Sequence, residues 1–103
     1  MGQAWPMRLR YTLPALADLA SILDFIADRS PQGATRVHAR IRVITELLLR
    51  HPFAGAMTDD PSIRRMPTTP YPYVIFYEVM DDEILIHAVR HGARDPAGNP
   101  QSP

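Results

Sequence analysis

The stretch YVIFYEV, residues 73–79, and the stretch ILIHAV, residues 84–89, decide the fold prediction. Both are dense in β-branched and aromatic residues, which favour strands, and the intervening MDD, residues 80–82, predicts a hairpin turn. Their nearly continuous apolar character indicates strands that are at least partly covered on both faces. We therefore expect an antiparallel sheet in which residues 73–79 form the central strand.

Side chains alternate between the two faces of a strand. The central strand should therefore present Ile75 and Tyr77 on one face, and Val74 and Phe76 on the other. Residues 63–66 form a further candidate strand, which follows a turn-rich connector at residues 53–61.

Two helices precede this sheet, over residues 13–29 and 31–50, after a short alternating strand at residues 8–12. Thr12 and Ser30 are candidate N-caps, since each is followed by a proline in the first helical turn. The predicted apolar face of the first helix consists of Leu16, Leu19, Ala20, Leu23, Ile26 and Ala27. That of the second consists of Ala34, Val37, Ile41, Ile44 and Leu48.

Charge differs between the two helices, which a tight link joins into a hairpin. The first carries Asp18, Asp24 and Asp28, whereas the second carries Arg36, Arg40, Arg42 and Arg50. We expect these side chains to pair across the hairpin as solvated faces.

The predicted order is β-α-α-β-β-β, an α+β fold in which a helical hairpin packs on a small antiparallel sheet. A length of 103 residues suits one domain. We expect that domain at residues 7–96, between a flexible N-terminal leader of residues 1–6 and a disordered tail of residues 97–103, which is rich in proline and has no apolar pattern.

Composition excludes several classes of chemistry. There is no cysteine, and all eleven cationic side chains are arginine, so thiolate chemistry and a catalytic lysine are excluded. The formal net charge of zero argues against a general nucleic-acid binder. No apolar run approaches the roughly 20 residues of a membrane helix, and no signal peptide is evident, so we expect a cytoplasmic protein.

Metal and cofactor sites are not expected. The four histidines lie on separate predicted elements without ligand spacing, and the chain has no glycine motif for phosphate. The informative cluster is cationic. Arg64 and Arg65 lie on one predicted strand, and Arg90, His91 and Arg94 lie at the end of another, so the five should converge if these strands flank residues 73–79.

The block PYPYVIFYEVMDDEILIHAVRHGARDP, residues 70–96, resembles the C-terminal signature of the ParE branch of the RelE/ParE toxins, also called plasmid stabilisation proteins. Its features are a P-Y-x-I-x-Y strand, an acidic turn, an apolar strand and then V-x-H-G-x-R-D. LLRHPFAG, residues 48–55, matches a further landmark of that family. The resemblance implies a microbial-ribonuclease-like fold, a cognate antitoxin partner and operator DNA binding only through the antitoxin.

Two targets occur in this superfamily, and the resemblance favours one. RelE-type members cut mRNA on the ribosome with arginines, lysines and a tyrosine or histidine. Here Val74 and Gly92 stand where arginines are expected, no lysine is present, and no tyrosine follows Tyr77.

ParE-type members lack that catalytic set, and they bind DNA gyrase and stabilise its cleaved-DNA state. We therefore expect a gyrase inhibitor that binds its target through Arg65, Arg90, His91 and Arg94. A ribonuclease using Arg64, Arg65, Arg90 and His91, and a toxin-like subunit that acts only in operon repression, are the alternatives.

Overall fold

The computed structural model describes residues 7–92, so the predicted leader and tail lie outside the described residues. Its elements in chain order are β1 (Arg8–Tyr11), α1 (Leu13–Ala27), α2 (Pro31–Arg50), β2 (Ala56–Met57), β3 (Arg64–Pro67), β4 (Tyr73–Val79) and β5 (Glu83–His91). The α+β class and the helical hairpin are confirmed. No helix within residues 7–92 is long and apolar enough to cross a membrane.

The five strands form one sheet in the order β1-β5-β4-β3-β2, which confirms β4 as the central strand. β2, β3, β4 and β5 pair antiparallel, but β1 lies parallel to β5. The expected antiparallel sheet is therefore a mixed one, and the connector contains the unpredicted strand β2. Alternation along a strand does not specify the direction of a partner that is distant in sequence, so β1 could not be oriented from its own residues.

Both helices begin where their caps were predicted. Thr12 Oγ1 accepts a hydrogen bond from the Ala15 N–H at 3.1 Å, and Ser30 Oγ accepts one from the Gly33 N–H at 2.9 Å. These bonds satisfy N–H groups that have no partner inside the helix. α1 ends at Ala27, two residues before the predicted end, and Asp28 is its C-cap.

The main core lies between the helices and one face of the sheet, which we call the helix face. Ile75, Tyr77, Ile84 and Ile86 are fully buried there, against α2 residues Val37, Ile41, Ile44 and Leu48. The predicted apolar face of α2 is confirmed at these four α2 positions.

The predicted face of α1 is partly wrong. Leu16 is 47% exposed and Ala20 is also exposed, whereas Ala15 is fully buried and Ile22 packs on the core. α1 is apolar over most of its circumference, so helical periodicity permits more than one buried stripe. The packing of α1 against β5 determines which of these stripes is buried.

The opposite side of the sheet, which we call the open face, carries a second buried cluster of Val74, Phe76 and Ala88. Neither helix contributes to this cluster, and partly buried Ile63 packs against it. The predicted charge pairing between the helices is wrong, because no ion pair joins α1 to α2 in the described chain. Asp18 instead approaches Arg90, which lies on β5.

Candidate target-binding surface

A β-bulge in β5 determines which of its side chains lie on the open face. Phe76 lies opposite Ala88, but the next residue, Tyr77, lies opposite Ile86, so His87 is the additional residue. A bulge of this kind changes which face the following side chains occupy. Ala88 therefore joins the open-face cluster, while Val89 belongs to the core of the helix face.

His87 makes a short polar contact across the hairpin. Its Nε2 lies 2.9 Å from Glu78 Oε1, and the two side chains are 36% and 30% exposed. This histidine–carboxylate pair was missed in the sequence. A bulge depends on how two strands pair, so the ILIHAV run alone gives no signal that would place His87 beside Glu78.

The predicted cationic cluster is divided between the two faces. Arg65 lies opposite Phe76, and Arg90 lies opposite Val74, so both arginines belong to the open face. Arg64 lies opposite Tyr77 and therefore on the helix face. Strand alternation requires this separation of neighbouring residues.

Arg64 is engaged by the loop that follows α2. Its Nη1 donates to the Gly55 carbonyl oxygen at 2.8 Å, and its guanidinium carbon lies 5.0 Å from the centre of the Phe53 ring. These contacts give Arg64 a structural role in holding the loop.

His91 also lies on the helix face. Its ring meets the Tyr73 ring edge-on with 5.7 Å between centroids. The two aromatic residues line a cleft of about 290 Å³ together with Ser21, Ile22 and Phe25 of α1. His91 is thus separated by the sheet from Arg65 and Arg90, and Arg94 lies outside the described residues.

Arg90 is held near the edge of the sheet by Asp18. The distance from Arg90 Nε to Asp18 Oδ2 is 3.6 Å, and the same carboxylate oxygen accepts the Val89 N–H at 3.1 Å. Pairing between β1 and β5 stops at Tyr11 and Ile86, so this N–H lies on a part of β5 that β1 does not cover. Asp18 therefore protects a strand edge and reduces the charge that Arg90 presents.

A groove of about 430 Å³ lies on the open face beside the bulge. Its lining consists of Asp60, Ser62, Ile63, Phe76, Glu78, His87, Ala88 and Arg90. Asp60 Oδ1 accepts hydrogen bonds from both the Ser62 N–H and the Ser62 hydroxyl. These bonds, with a smaller contribution from His87, hold the pKa of Asp60 below its usual value.

The groove could not be recognised from single residues. Asp60 lies in the connector at residues 53–61, which was predicted to be rich in turns, and it makes the local hydrogen bonds typical of aspartate in a turn. Only the tertiary structure places its carboxylate in one groove with Glu78 and Arg90. Within residues 7–92, no three histidine, cysteine, aspartate or glutamate side chains are grouped as a metal site would require.

Comparisons with known proteins agree on a family. Residues 9–96 match the family described as ParE toxin of type II toxin-antitoxin system, parDE. Toxin RelE2 of Caulobacter vibrioides is 37% identical over 84 residues, which cover 82% of this chain and 93% of that protein. Putative toxin Y4kP of Sinorhizobium fredii is 37% identical over 79 residues, covering 76% of this chain and 82% of that protein.

A solved chain from the chromosomal ParDE toxin–antitoxin system of P. aeruginosa has the same fold. Its TM-score is 0.70 at 25% sequence identity, and the match covers 84% of this chain and 96% of the solved one. The similarity therefore extends over 82% to 96% of the length of these three known proteins.

Proposed function

This chain belongs to the ParE toxin family and is the toxin of a type II toxin–antitoxin system, and we propose that it inhibits growth by binding DNA gyrase rather than by cutting mRNA. Membership of a type II system implies a cognate antitoxin as partner. The choice of gyrase over the ribosome is the proposal, and it rests on the geometry of the cationic side chains.

The separation of Arg64, Arg65, Arg90 and His91 is the observation that carries the proposal. Cleavage of RNA by its own 2′-hydroxyl needs a base, an acid and a cationic clamp within reach of one phosphate. Arg64 is bonded to backbone carbonyls, Arg90 lies against a carboxylate, and His91 is on the opposite face from Arg65. The residues proposed for a ribonuclease therefore do not form one site.

Inhibition by binding requires only a complementary surface. Arg65 and Arg90 lie on one face of the sheet around the apolar cluster of Val74, Phe76 and Ala88. Arginines beside buried apolar residues are common in protein interfaces, where they fix orientation and increase the rate of encounter. His91 and Arg94 remain proposed contacts at the end of β5 and beyond it.

Two assays on the purified protein test this proposal. It should block supercoiling by gyrase and leave linear DNA with protein attached, and it should leave mRNA on translating ribosomes intact. Site-specific mRNA cleavage by the wild type, lost on replacing Arg65 or His91, would overturn the proposal and identify a ribonuclease.

Substitutions can locate the contact surface. Arg65→Ala and Arg90→Ala should each weaken gyrase inhibition about tenfold or more, the loss expected for an arginine central to an interface. Arg94→Ala should also weaken it. Arg36→Ala is the matched control, because Arg36 is exposed on α2 and its side chain has no bonded partner in residues 7–92. Unchanged thermal unfolding would show that the variants are folded, and equal potency of all four would exclude this surface.

The His87–Glu78 pair favours a second candidate, phosphodiester cleavage at the groove. Histidine and glutamate in contact can exchange a proton, and Arg90 lines the same groove. Against this candidate, the Asp60 and Glu78 carboxylates would repel a phosphate. RNA cleavage by the wild type that is lost in His87→Ala but retained in His91→Ala would establish it.

Expression in cells separates the toxin from a subunit that acts only in repression. Expression alone should arrest growth, and co-expression with the adjacent gene should restore it, since we expect that gene to encode the antitoxin. Both partners would then act in the cytoplasm, and operator DNA would be bound only through the antitoxin. Soluble protein that leaves growth unchanged would favour the repression-only alternative.

A further inference from the structure

The groove on the open face has an apolar floor and a polar rim. Phe76 and Ala88 form part of the floor, and they are 8% and 9% exposed. Asp60 and Glu78 lie on the rim, each with one carboxylate oxygen already bonded, Asp60 to Ser62 and Glu78 to His87. Their second oxygens, Oδ2 and Oε2, accept no hydrogen bond from the described residues. The rim therefore has two carboxylate oxygens available to a donor.

The charges of the groove favour the binding of a cation over that of an anion. Asp60 and Glu78 contribute two negative charges and Arg90 contributes one positive charge, while the His87 ring is in contact with the Glu78 carboxylate. Arg90 is itself approached by the carboxylate of Asp18 at 3.6 Å, which reduces its attraction for an anion. A phosphate would meet two carboxylates, whereas a guanidinium or an ammonium group would meet complementary charge.

The apolar floor further restricts the kind of group that the groove can bind. Arginine and lysine carry three or four methylene groups that pack on apolar surface while the charged head reaches polar groups. A floor of Phe76 and Ala88 beside the two rim carboxylates suits that combination. A bare metal ion would make no apolar contact with the floor of the groove. An uncharged aliphatic side chain would make no ionic contact with the carboxylates of the rim.

We infer that this groove receives an arginine or lysine side chain of the cognate antitoxin. The inference rests on the family's antitoxin partnership and not on gyrase as the target, so either can fail without the other. A basic side chain anchored here would place part of the antitoxin across the open face, next to Arg65 and Arg90. Neutralisation would then follow from covering the surface proposed to bind the target.

A small probe tests the chemistry of the groove directly. Nα-acetyl-arginine amide, titrated into ¹⁵N-labelled protein, should shift the backbone NMR signals of Glu78, His87 and Ala88. Nα-acetyl-norleucine amide provides the uncharged aliphatic control, and inorganic phosphate provides the anionic one. Shifts produced by phosphate but not by the arginine probe would overturn the inference, as would equal shifts from the arginine and norleucine probes.

Charge-removing substitutions test the assignment to the antitoxin. Asp60→Asn and Glu78→Gln keep the size of each side chain and an oxygen that can accept the bond from Ser62 or His87. Each should weaken antitoxin binding by about tenfold, as expected for the loss of one charged hydrogen bond. Asp81→Asn is the matched control, because Asp81 is an exposed carboxylate in the β4–β5 turn without a side-chain bond in the described chain.

Two further measurements distinguish a lost antitoxin contact from misfolding and from damage to the target-binding surface. Unchanged thermal unfolding would show that a variant is folded, and unchanged gyrase inhibition by the free variants would show that the target surface is intact. Antitoxin affinity equal to wild type in the Asp60→Asn/Glu78→Gln double variant would exclude the groove as a site for an antitoxin side chain. Failure of the wild type in the gyrase assay would refute the proposed target alone.

Discussion

The two faces of the central hairpin use alternate residues of the same strands for different purposes. On the helix face, Ile75 and Ile86 are fully buried in the core beneath the two helices. On the open face, Val74 and Phe76 are 5% and 8% exposed, and no helix covers them. The helix face forms the main hydrophobic core, whereas the open face combines a thin apolar layer with arginines and carboxylates. Stability should therefore depend mainly on one face and recognition mainly on the other.

Truncation of neighbouring β5 residues should give the largest contrast between the faces. Ile86→Ala and Leu85→Ala remove the same number of carbon atoms, but Ile86 is in the helix-side core while Leu85 pairs with Arg10 and Glu78. Ile86→Ala should lower the free energy of unfolding by about 3–5 kcal/mol, because the enclosed core cannot collapse around the cavity. Leu85→Ala should cost about half as much, since flexible side chains border it.

Urea denaturation at fixed pH measures both changes. The slope of unfolding free energy against urea should stay constant if the variants unfold in one step. Equal losses of unfolding free energy in the two variants would show that the open face is packed as tightly as the helix face, and would contradict the expected difference between the faces.

Removal of the Tyr77 hydroxyl should have an intermediate effect confined to the helix face. This hydroxyl accepts the Gly55 N–H at 2.9 Å and donates to the Pro52 carbonyl oxygen at 2.7 Å. Tyr77→Phe should cost about 1–3 kcal/mol, because partners at a buried site lose their hydrogen bonds. Tyr71→Phe is the control, since its hydroxyl makes no such bond within residues 7–92.

Hydrogen exchange would locate the effect of the Tyr77 substitution. The Gly55 amide should lose protection in Tyr77→Phe and keep it in Tyr71→Phe. Loss of protection in both variants would indicate that the loop after α2 is held by aromatic packing and not by the hydroxyl.

The smallest effect should come from the ion pair between Arg10 and Glu83 at the β1 side of the sheet. Arg10 Nη2 lies 2.7 Å from Glu83 Oε2, and hydrogen bonding by Arg10 lowers the pKa of Glu83 from its ordinary value of 4.5. A lowered pKa stabilises the folded chain above the unfolded-state pKa, and this contribution disappears as pH falls through the folded-state value. Glu83→Gln should therefore weaken stability slightly at neutral pH and reduce its decline under acid.

Thermal unfolding between neutral pH and about pH 3, which spans the ordinary carboxyl range, measures this change. Arg10→Gln should produce the same profile, and the double variant should add little, because either change already removes the pair. Independent, additive effects would show that the two side chains do not interact in solution.

Local sequence signals were sufficient for much of the fold. The caps at Thr12 and Ser30, the proline in each first helical turn and the turn at residues 80–82 depend on contacts within a few residues. The central position of β4 also followed from its own composition, because a nearly continuous apolar run indicates a strand that is largely buried on both faces, as Ile75 and Val74 are. The block at residues 70–96 indicated the toxin family, which the comparisons confirmed.

The sequence by itself thus determined the two helices, every strand except β2, the central position of β4 and the family. The tertiary structure decided the parallel pairing of β1, the buried stripe of α1 and the side of the sheet on which each arginine lies. It also created the bulge that brings His87 beside Glu78 within reach of the Asp60 groove. These features arise from contacts between residues distant in sequence. A periodic pattern indicates which side of one segment is buried, but it does not indicate which other segment packs against that side.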